Sequence, residues 1–224
     1  MIAKPGTKQI VFLSVWKLLR ARKKRGDFGM CIKSADLILP ISKSILSAAR
    51  FLKLPVPERY NPFTATINIL SVIDQHYRSL YLLGGRDRTL YHTEKNLHET
   101  FSNIQIVGRF PGYYKKFREE AIVQSLYKSS PSLTLVSDGI KEKALWSYRR
   151  RNSFSSSIFL HYHDAFGIFS DRIRRVDEKV FDKGHEIWYE ILHNPLKILL
   201  AIPFIGYILI LLWYKIFKKN TTAS

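Results

Sequence analysis

The sequence predicts an α/β domain built on a mostly parallel sheet covered by helices, followed by a C-terminal amphipathic helix and a hydrophobic membrane anchor. Three observations predict it. Between residues 79 and 163, short apolar runs alternate with helix-spaced stretches through short connections, the pattern of βαβ units. These runs end in turn-forming or polar residues, Gly84–Gly85, Gly108–Gly112, Asp138–Gly139 and His163–Asp164. Parallel sheets bind ligands at such carboxyl ends. Near the C-terminus an unbroken apolar stretch, ILLAIPFIGYILILLWY, runs from Ile198 to Tyr214, fenced by Lys197, Lys215, Lys218 and Lys219.

The elements follow in order. Gln9 to Arg25 opens as a strand and continues as a basic helix; its end holds Arg20, Arg22, Lys23, Lys24 and Arg25, a solvated helix end or a patch for lipid headgroups. ADLILP at 35–40 is a short buried strand stopped by Pro40, 42–52 has helical spacing, and PVPERYNP at 55–62 is a Pro-rich loop. Strands are predicted at 79–85, 104–114, 133–139 and 157–163, and helices at 88–101, 118–129 and 141–151. DRIRRVDEK at 171–179 is a basic turn or short helix. GHEIWYEILHNP at 184–195 is an amphipathic helix with Ile187, Trp188, Ile191 and Leu192 near one face. The predicted organisation is a domain over 1–183 and an appendage over 184–224, whose membrane helix covers about 198–214.

The chain has 224 residues, with 36 basic and 18 acidic side chains and a net charge of +18. That excess implies an anionic partner: phospholipid headgroups, a diphosphate-bearing substrate or nucleic acid. The hydrophobic anchor argues against nucleic acid. A single cysteine, Cys31, excludes an intrachain disulfide and a cysteine-cluster metal site. The N-terminal MIAKPGTKQI has no signal-peptide pattern. At a rise of ~1.5 Å per residue the apolar run makes a helix about 25 Å long, against a hydrocarbon core of ~30 Å. Snorkelling lysines make a span feasible, while Pro203 and Gly206 equally allow a re-entrant or in-plane path. The arginine-rich domain favours the cytoplasmic side of the membrane.

Seven segments, in order, resemble the WecG/TagA/CpsF family of bacterial glycosyltransferases. SADLILP with AARFL is similar to the family stretch SADLVLPDGxGxxxAARLL, and PERYNPFT resembles its PER segment. LYLLGG matches the LLGG strand-turn, and IVGRFPGYY matches IVGxxxGYF with Gly108, Gly112 and Tyr113 in place. SLTLVSDGIKEKALW fits LLVGLGxPKQExW, keeping Gly139 and Trp146. DAFGIFSDRIRRV resembles GAFDFLAGRVKRAP, keeping Arg172, Arg174 and Arg175, and GHEIWYEILHNP matches GxEWLYRLLxEP. The resemblance implies a Rossmann-like transferase at the cytoplasmic face of the bacterial inner membrane. Such an enzyme moves N-acetylmannosamine or a related sugar from a UDP-linked donor to a polyprenyl-diphosphate-linked sugar, in surface-polysaccharide assembly. It implies no cofactor and no metal, partners among anionic membrane lipids, and leaves a homo-oligomer open. The family's leading strand is expected to be missing, because the chain starts too late to contain it.

The sequence departs from the family at positions that carry chemistry. The P-D-G aspartate, a general-base candidate, aligns with Ile41, which cannot take a proton. The glycines after it become Ser42 and Ser44, the aspartate of the second segment aligns with Thr64, and the F-D aspartate with Gly167. The T-x-N threonine and asparagine align with Phe12 and Ser14, and the P-K-Q-E cluster with Lys141, Glu142, Lys143 and Ala144. Two readings follow: a divergent enzyme, or an inactive relative that binds lipid or nucleotide sugar or scaffolds a membrane complex. In the first, Asp138 and Asp164, both at strand ends, are substitute-base candidates; otherwise they are ordinary loop or cap aspartates. Arg59, Gly84, Gly85, Gly112, Tyr113, Gly139, Arg172 and Arg175 are the expected donor- and diphosphate-binding residues. LLGG lacks the full Gly-x-Gly-x-x-Gly spacing of a phosphate loop. Arg149, Arg150 and Arg151 read as a solvated helix end or a phosphate contact. His161 and His163 alternate as on a strand, a polar pair or, with Asp164, a metal cluster.

Overall fold

The structure, a computed structural model, describes residues 6–22, 26–154, 156–175, 177–184 and 201–217. Its six strands are β1 (Gly6–Leu13), β2 (Leu37–Pro40), β3 (Ser79–Leu83), β4 (Gln105–Phe110), β5 (Leu133–Val136) and β6 (Ser156–His161). The helices are α1 (Val15–Ala21), α2 (Phe28–Lys33), α3 (Lys43–Phe51), α4 (Pro62–Gln75), α5 (Asp87–Thr100), α6 (Glu119–Ser129), α7 (Ala144–Arg149), α8 (Ala165–Phe169), α9 (Glu178–Lys183) and α10 (Ala201–Phe217).

The strands form one sheet in the order β2-β1-β6-β5-β3-β4. The pairs β1–β6, β5–β6, β3–β5 and β3–β4 are parallel. Along β1 and β2, Asp36 N donates to Gln9 O and Ile41 N to Leu13 O, so this pair also advances in one direction. The result is the predicted Rossmann-like α/β architecture. Strands β3, β5 and β6 are buried almost end to end, as parallel strands covered on both faces must be, whereas edge strand β4 alternates exposed and half-buried residues.

Strand order locates the binding crevice. From β3 the chain passes through α5 to β4 on one side, and from β5 through α7 to β6 on the other. The neighbours β3 and β5 are therefore a topological switch point, where the connections diverge and open a cleft beyond the carboxyl ends. Those ends are Gly84–Gly85 and Ser137–Asp138–Gly139.

Several boundaries differ from expectation for local reasons. Strand β3 stops at Leu83 because Gly84 and Gly85 take φ of 125° and 68°. Helix α7 starts only at Ala144 because Lys143, at φ 52°, is not helical. Strand β6 ends at His161, so His163 sits in the following turn and does not share a strand face with it. Helix α4 begins at the last residue of the Pro-rich loop and continues through a stretch for which no element was expected. Thr64, Thr66, Ile67, Ile69, Val72 and Ile73 are β-branched and weak helix formers, so burial of Thr66, Leu70 and Ile73 outweighs propensity.

The chain divides into two compact units, Met1–Phe12 with Arg20–Leu39 and Pro62–Arg175, and Leu13–Leu19 with Pro40–Asn61 and Val176–Ser224. The core of the first gathers Tyr81, Leu83, Ile122, Leu126, Trp146 and Phe159. Each such side chain contributes about 1.5–3 kcal/mol by leaving water. The second is organised by Val15, Ala48 and Tyr207, with Trp16, Phe204 and Leu211 against them. Tyr207 is 4% exposed, and its hydroxyl donates to the Ser44 carbonyl at 3.2 Å. The Lys215 ammonium lies 3.8 Å from the Phe51 ring centroid.

Helix α10 covers most of the expected membrane helix. Residues 198–200 and the amphipathic segment 185–195 lie outside the described residues, and no helix among the described residues is long and apolar enough to cross a membrane. The 17 residues of α10 have one face, Phe204, Tyr207 and Leu211, packed within the second unit. The other face exposes Ile205, Ile208, Leu209, Leu212, Trp213 and Ile216. One face of α10 is thus held by protein and the other is apolar and exposed.

Candidate functional site

Backbone hydrogen bonds lash the strand ends together at the switch point. Gly85 N donates to Asp138 O at 2.8 Å, Gly112 N to Gly85 O at 2.8 Å, and Tyr113 N to Gly139 O at 2.9 Å. Gly84 N donates to Phe110 O and Ser137 N to Leu83 O, each at 2.9 Å. The approach is too close for side chains at two positions: a Cβ at Gly84 or at Gly112 would fall 2.7 Å from the Asp138 carbonyl oxygen. These glycines were expected to face a donor diphosphate. Three of the amides that would cradle it, those of Gly84, Gly85 and Gly112, are committed to protein carbonyls.

Asp138 is half-buried above this knot. Its carboxylate accepts the Tyr113 hydroxyl at 2.9 Å, and the Ser137 hydroxyl is a longer neighbour at 3.4 Å. The hydrogen bond to Asp138 pushes the Tyr113 phenol above its usual range, assisted by burial and by the Asp138 charge and opposed by Arg86 and Arg172. Ser137 Oγ donates to His163 O at 2.8 Å and accepts from Phe166 N at 3.2 Å, tying β5 to the loop after β6. Asp164 stands at the head of α8 without a side-chain capping bond. Burial, and secondarily the Asp164 charge, raise the pKa of the neighbouring Tyr162.

The arginines separate into two kinds. Those at the end of α7 are engaged: Arg149 pairs with Glu142 at 2.6 Å and Asp27 at 2.9 Å, and Arg150 with Glu142 at 2.6 Å and with Glu119. Arg151 donates to the Tyr148 carbonyl at 3.1 Å. Arg59 donates to the carbonyls of Ile41 at 2.9 Å and Phe181 at 2.5 Å, and its guanidinium lies 3.7 Å from the Phe181 ring centroid, so it clamps the second unit. A different set lines a cavity of about 560 Å³ with Arg86, Arg88, Thr89, His92, Ser170 and Arg172. Among the described residues no carboxylate lines it. Arg88 and Arg172 have no side-chain hydrogen bond or ion pair among the described residues, and Arg86 faces only the Tyr113 ring, 5.8 Å from its centroid. Arg86 and Arg172 both act on the Tyr113 phenol, which places this cavity beside the Tyr113–Asp138 pair.

Of the three arginines expected at the donor and its diphosphate, Arg59 is bound to the Ile41 and Phe181 carbonyls, Arg172 lines this basic cavity, and Arg175 lines another. Arg86, Arg88 and His92 were missed. Their signal is in GGRDR: Arg86 and Arg88 flank the start of α5, where the helix dipole disfavours cations unless an anion joins them. No group of three or more His, Cys, Asp or Glu able to hold a metal ion occurs among the described residues.

Residues 1–221 match the family described as glycosyl transferase WecG/TagA/CpsF. The chain belongs to the WecG/TagA/CpsF glycosyltransferase family. It is 24% identical over 167 residues to an N-acetylglucosaminyldiphosphoundecaprenol N-acetyl-beta-D-mannosaminyltransferase of Bacillus spizizenii strain W23. The match covers 74% of this chain and 64% of that relative, less than two thirds of its length. Within the WecG/TagA/CpsF family frame, the substituted positions take structural duties. Glu142 is bound by two arginines, and a side chain at Gly167 would collide with Ile173.

Glu142 gives a pH-dependent prediction. Desolvation raises its carboxyl, but the hydrogen bonds and charges of Arg150 and Arg149 outweigh this, and the net pKa lies below the usual 4.5. A carboxyl depressed on folding stabilises above its unfolded pKa, and that contribution disappears as pH falls through the lower folded value. Glu142→Gln should therefore lower the urea midpoint at pH 7, and the difference from wild type should shrink below about pH 4. A difference independent of pH would contradict the pairing.

Proposed function

We propose that this chain is a glycosyltransferase at a membrane surface, taking a UDP-linked N-acetylmannosamine or related sugar and passing it to a polyprenyl-diphosphate-linked N-acetylglucosamine. The observation that carries the reading is the cavity of Arg86, Arg88 and Arg172, three guanidiniums without an acidic partner beside the switch point. Guanidinium forks match phosphate oxygens in charge and shape. In the transfer, the acceptor hydroxyl attacks the anomeric carbon and the bond from that carbon to the donor diphosphate breaks. UDP leaves with the electron pair, and a base takes the hydroxyl proton. The arginines favour departure by neutralising charge that grows on the diphosphate.

The base is the open position, since Ile41 stands where the family has aspartate. Asp138 and Asp164 are the carboxylates at the ends of β5 and β6. Asp138 accepts the Tyr113 hydroxyl, so one carboxylate oxygen is already engaged. Asp164 has no side-chain capping bond. Ile41 and the arginine-bound Glu142 support a second reading, an inactive relative that keeps the nucleotide-sugar cavity for binding or scaffolding at the membrane.

Calorimetric titration with UDP-N-acetylglucosamine and UDP-N-acetylmannosamine tests the cavity. Arg172→Ala and Arg86→Ala should each weaken binding about tenfold or more, while Arg151→Ala leaves it unchanged. Absence of binding at millimolar concentration sinks the donor reading. Binding without transfer to a prenyl-diphosphate-linked acceptor selects the inactive relative.

Membrane attachment through α10 belongs to the same proposal. Leu209 and Ile216 are 60% and 66% exposed on the face opposite Tyr207, and the net charge of +18 suits an anionic leaflet. The helix would lie in the plane of the cytoplasmic leaflet of the bacterial inner membrane. Leu209→Glu with Ile216→Glu should abolish co-sedimentation with vesicles containing phosphatidylglycerol. Sedimentation unchanged by the double substitution would contradict attachment through this face.

A further inference from the structure

Edge strand β4 runs out at Phe110 into PGYYKKFR, residues 111–118, before α6 begins at Glu119. This segment leaves from the end of the sheet at which the crevice opens, since β4 is parallel to β3 and Gly84 N is bonded to Phe110 O. It is pinned at its start. Tyr113 N donates to Gly139 O at 2.9 Å, and the Tyr114 ring stands edge-on to Phe110, with 6.2 Å between centroids, against the core of the first unit. Beyond Tyr114 the chain makes a short 3-10 turn over Lys116–Arg118, closed by Arg118 N donating to Lys115 O at 2.9 Å.

Lys115, Lys116, Phe117 and Arg118 are all exposed, and Phe117, at 75%, is the most exposed large hydrophobic side chain among the described residues. Among the same residues Phe117 has no ring partner, and Lys115, Lys116 and Arg118 have no side-chain hydrogen bond or ion pair. Of the acids that follow, Glu119 turns to Arg150 and accepts from Trp146 Nε1 at 3.1 Å, and Glu120 sits on the first turn of α6, where it suits the helix dipole. A lone exposed apolar side chain needs no account. Here, however, the ring tops a turn fixed by Tyr113 and Tyr114, with unpaired cations on both sides. That is the composition of an interfacial contact, cations at the headgroups and a ring at the acyl boundary.

We propose that the turn Lys115–Arg118 is a contact for an anionic phospholipid leaflet, with the Phe117 ring at the acyl boundary and Lys115, Lys116 and Arg118 at the lipid phosphates. It belongs to the first unit and uses no residue of α10. Single-stranded nucleic acid is bound in charged grooves with several stacking rings, whereas this is a projecting turn with one. One ring and three cations bind weakly by themselves, so the turn does not recruit the chain. It orients it, holding the carboxyl end of the sheet, and the crevice there, toward the leaflet. That the chain is already recruited rests on the attachment reading above; the contact itself stands on other residues.

Cys31, the single cysteine of the chain, is buried, so a cysteine placed in the turn can be labelled selectively. On the full chain, Phe117→Cys carrying a nitrobenzoxadiazole label should shift its emission to the blue when vesicles containing phosphatidylglycerol are added. Half-saturation should come at about tenfold less lipid than with phosphatidylcholine alone. The same label on Tyr127→Cys, exposed on the last turn of α6 where the chain returns toward the start of β5, should not respond. Without label, Lys116→Glu with Arg118→Glu should raise the phosphatidylglycerol needed for half-maximal co-sedimentation about tenfold or more, with the circular dichroism spectrum unchanged. The proposal is overturned if the label at 117 is silent on vesicles that sediment the protein, if the label at 127 responds equally, or if the charge-reversed variant sediments like wild type. A response to a single-stranded oligonucleotide in place of vesicles overturns it in favour of nucleic acid. Silence at 117 with sedimentation still dependent on Leu209 and Ile216 defeats this contact alone. A response at 117 that persists, with undiminished sedimentation, in Leu209→Glu with Ile216→Glu defeats attachment through α10 and leaves the contact standing.

Discussion

The close approach of three strand ends, made possible by Gly84 and Gly112 and fastened through the Asp138 carbonyl, is the constraint on which the rest of the molecule depends. Gly85 N reaches that carbonyl at 2.8 Å, and neither Gly84 nor Gly112 has room for a Cβ beside it. The knot sets the β3–β5 switch point and presents Asp138 and Tyr113 at the crevice. It uses the amides of Gly84, Gly85 and Gly112 internally, so those three are not available to an anion. A phosphate-loop enzyme holds its diphosphate with main-chain N–H groups. In the proposed function that duty passes to arginine side chains at the start of α5 and on the loop after α8.

The net charge of +18 becomes specific once the arginines are sorted by partner. Arg149 and Arg150 are spent on Glu142, Glu119 and Asp27, Arg109 pairs with Glu94, and Arg59 clamps Phe181. Arg86, Arg88 and Arg172 share a cavity lined by no carboxylate among the described residues. Placing like charges together without counter-ions costs stability unless a ligand supplies them, so the arrangement itself argues for an anion. The same sorting explains the lost family residues: Glu142 and Gly167 now serve packing and ion pairing.

The sheet was legible because parallel strands buried on both faces leave continuous apolar runs, as in SLYLL and LTLV. Helix α4 was not, because its β-branched residues hide a helix that forms only through its buried face. The apolar C-terminal run was legible as a helix but not as a packed one. Only the fold reveals that Phe204, Tyr207 and Leu211 have protein partners. At the site, the glycines were legible as turns, and their amide partners were not, since those lie on other strands. Arg172 and Arg175 are three residues apart, yet they line different cavities, a divergence that spacing alone does not disclose.

A crystal structure of the chain soaked with UDP tests the central claim, that side chains and not the glycine turns hold the donor. The account predicts the diphosphate within hydrogen-bonding distance of the Arg86 and Arg172 guanidiniums, with the Gly84, Gly85 and Gly112 amides still on their protein carbonyls. A diphosphate seated on those amides, with Arg86 and Arg172 turned away, would contradict it.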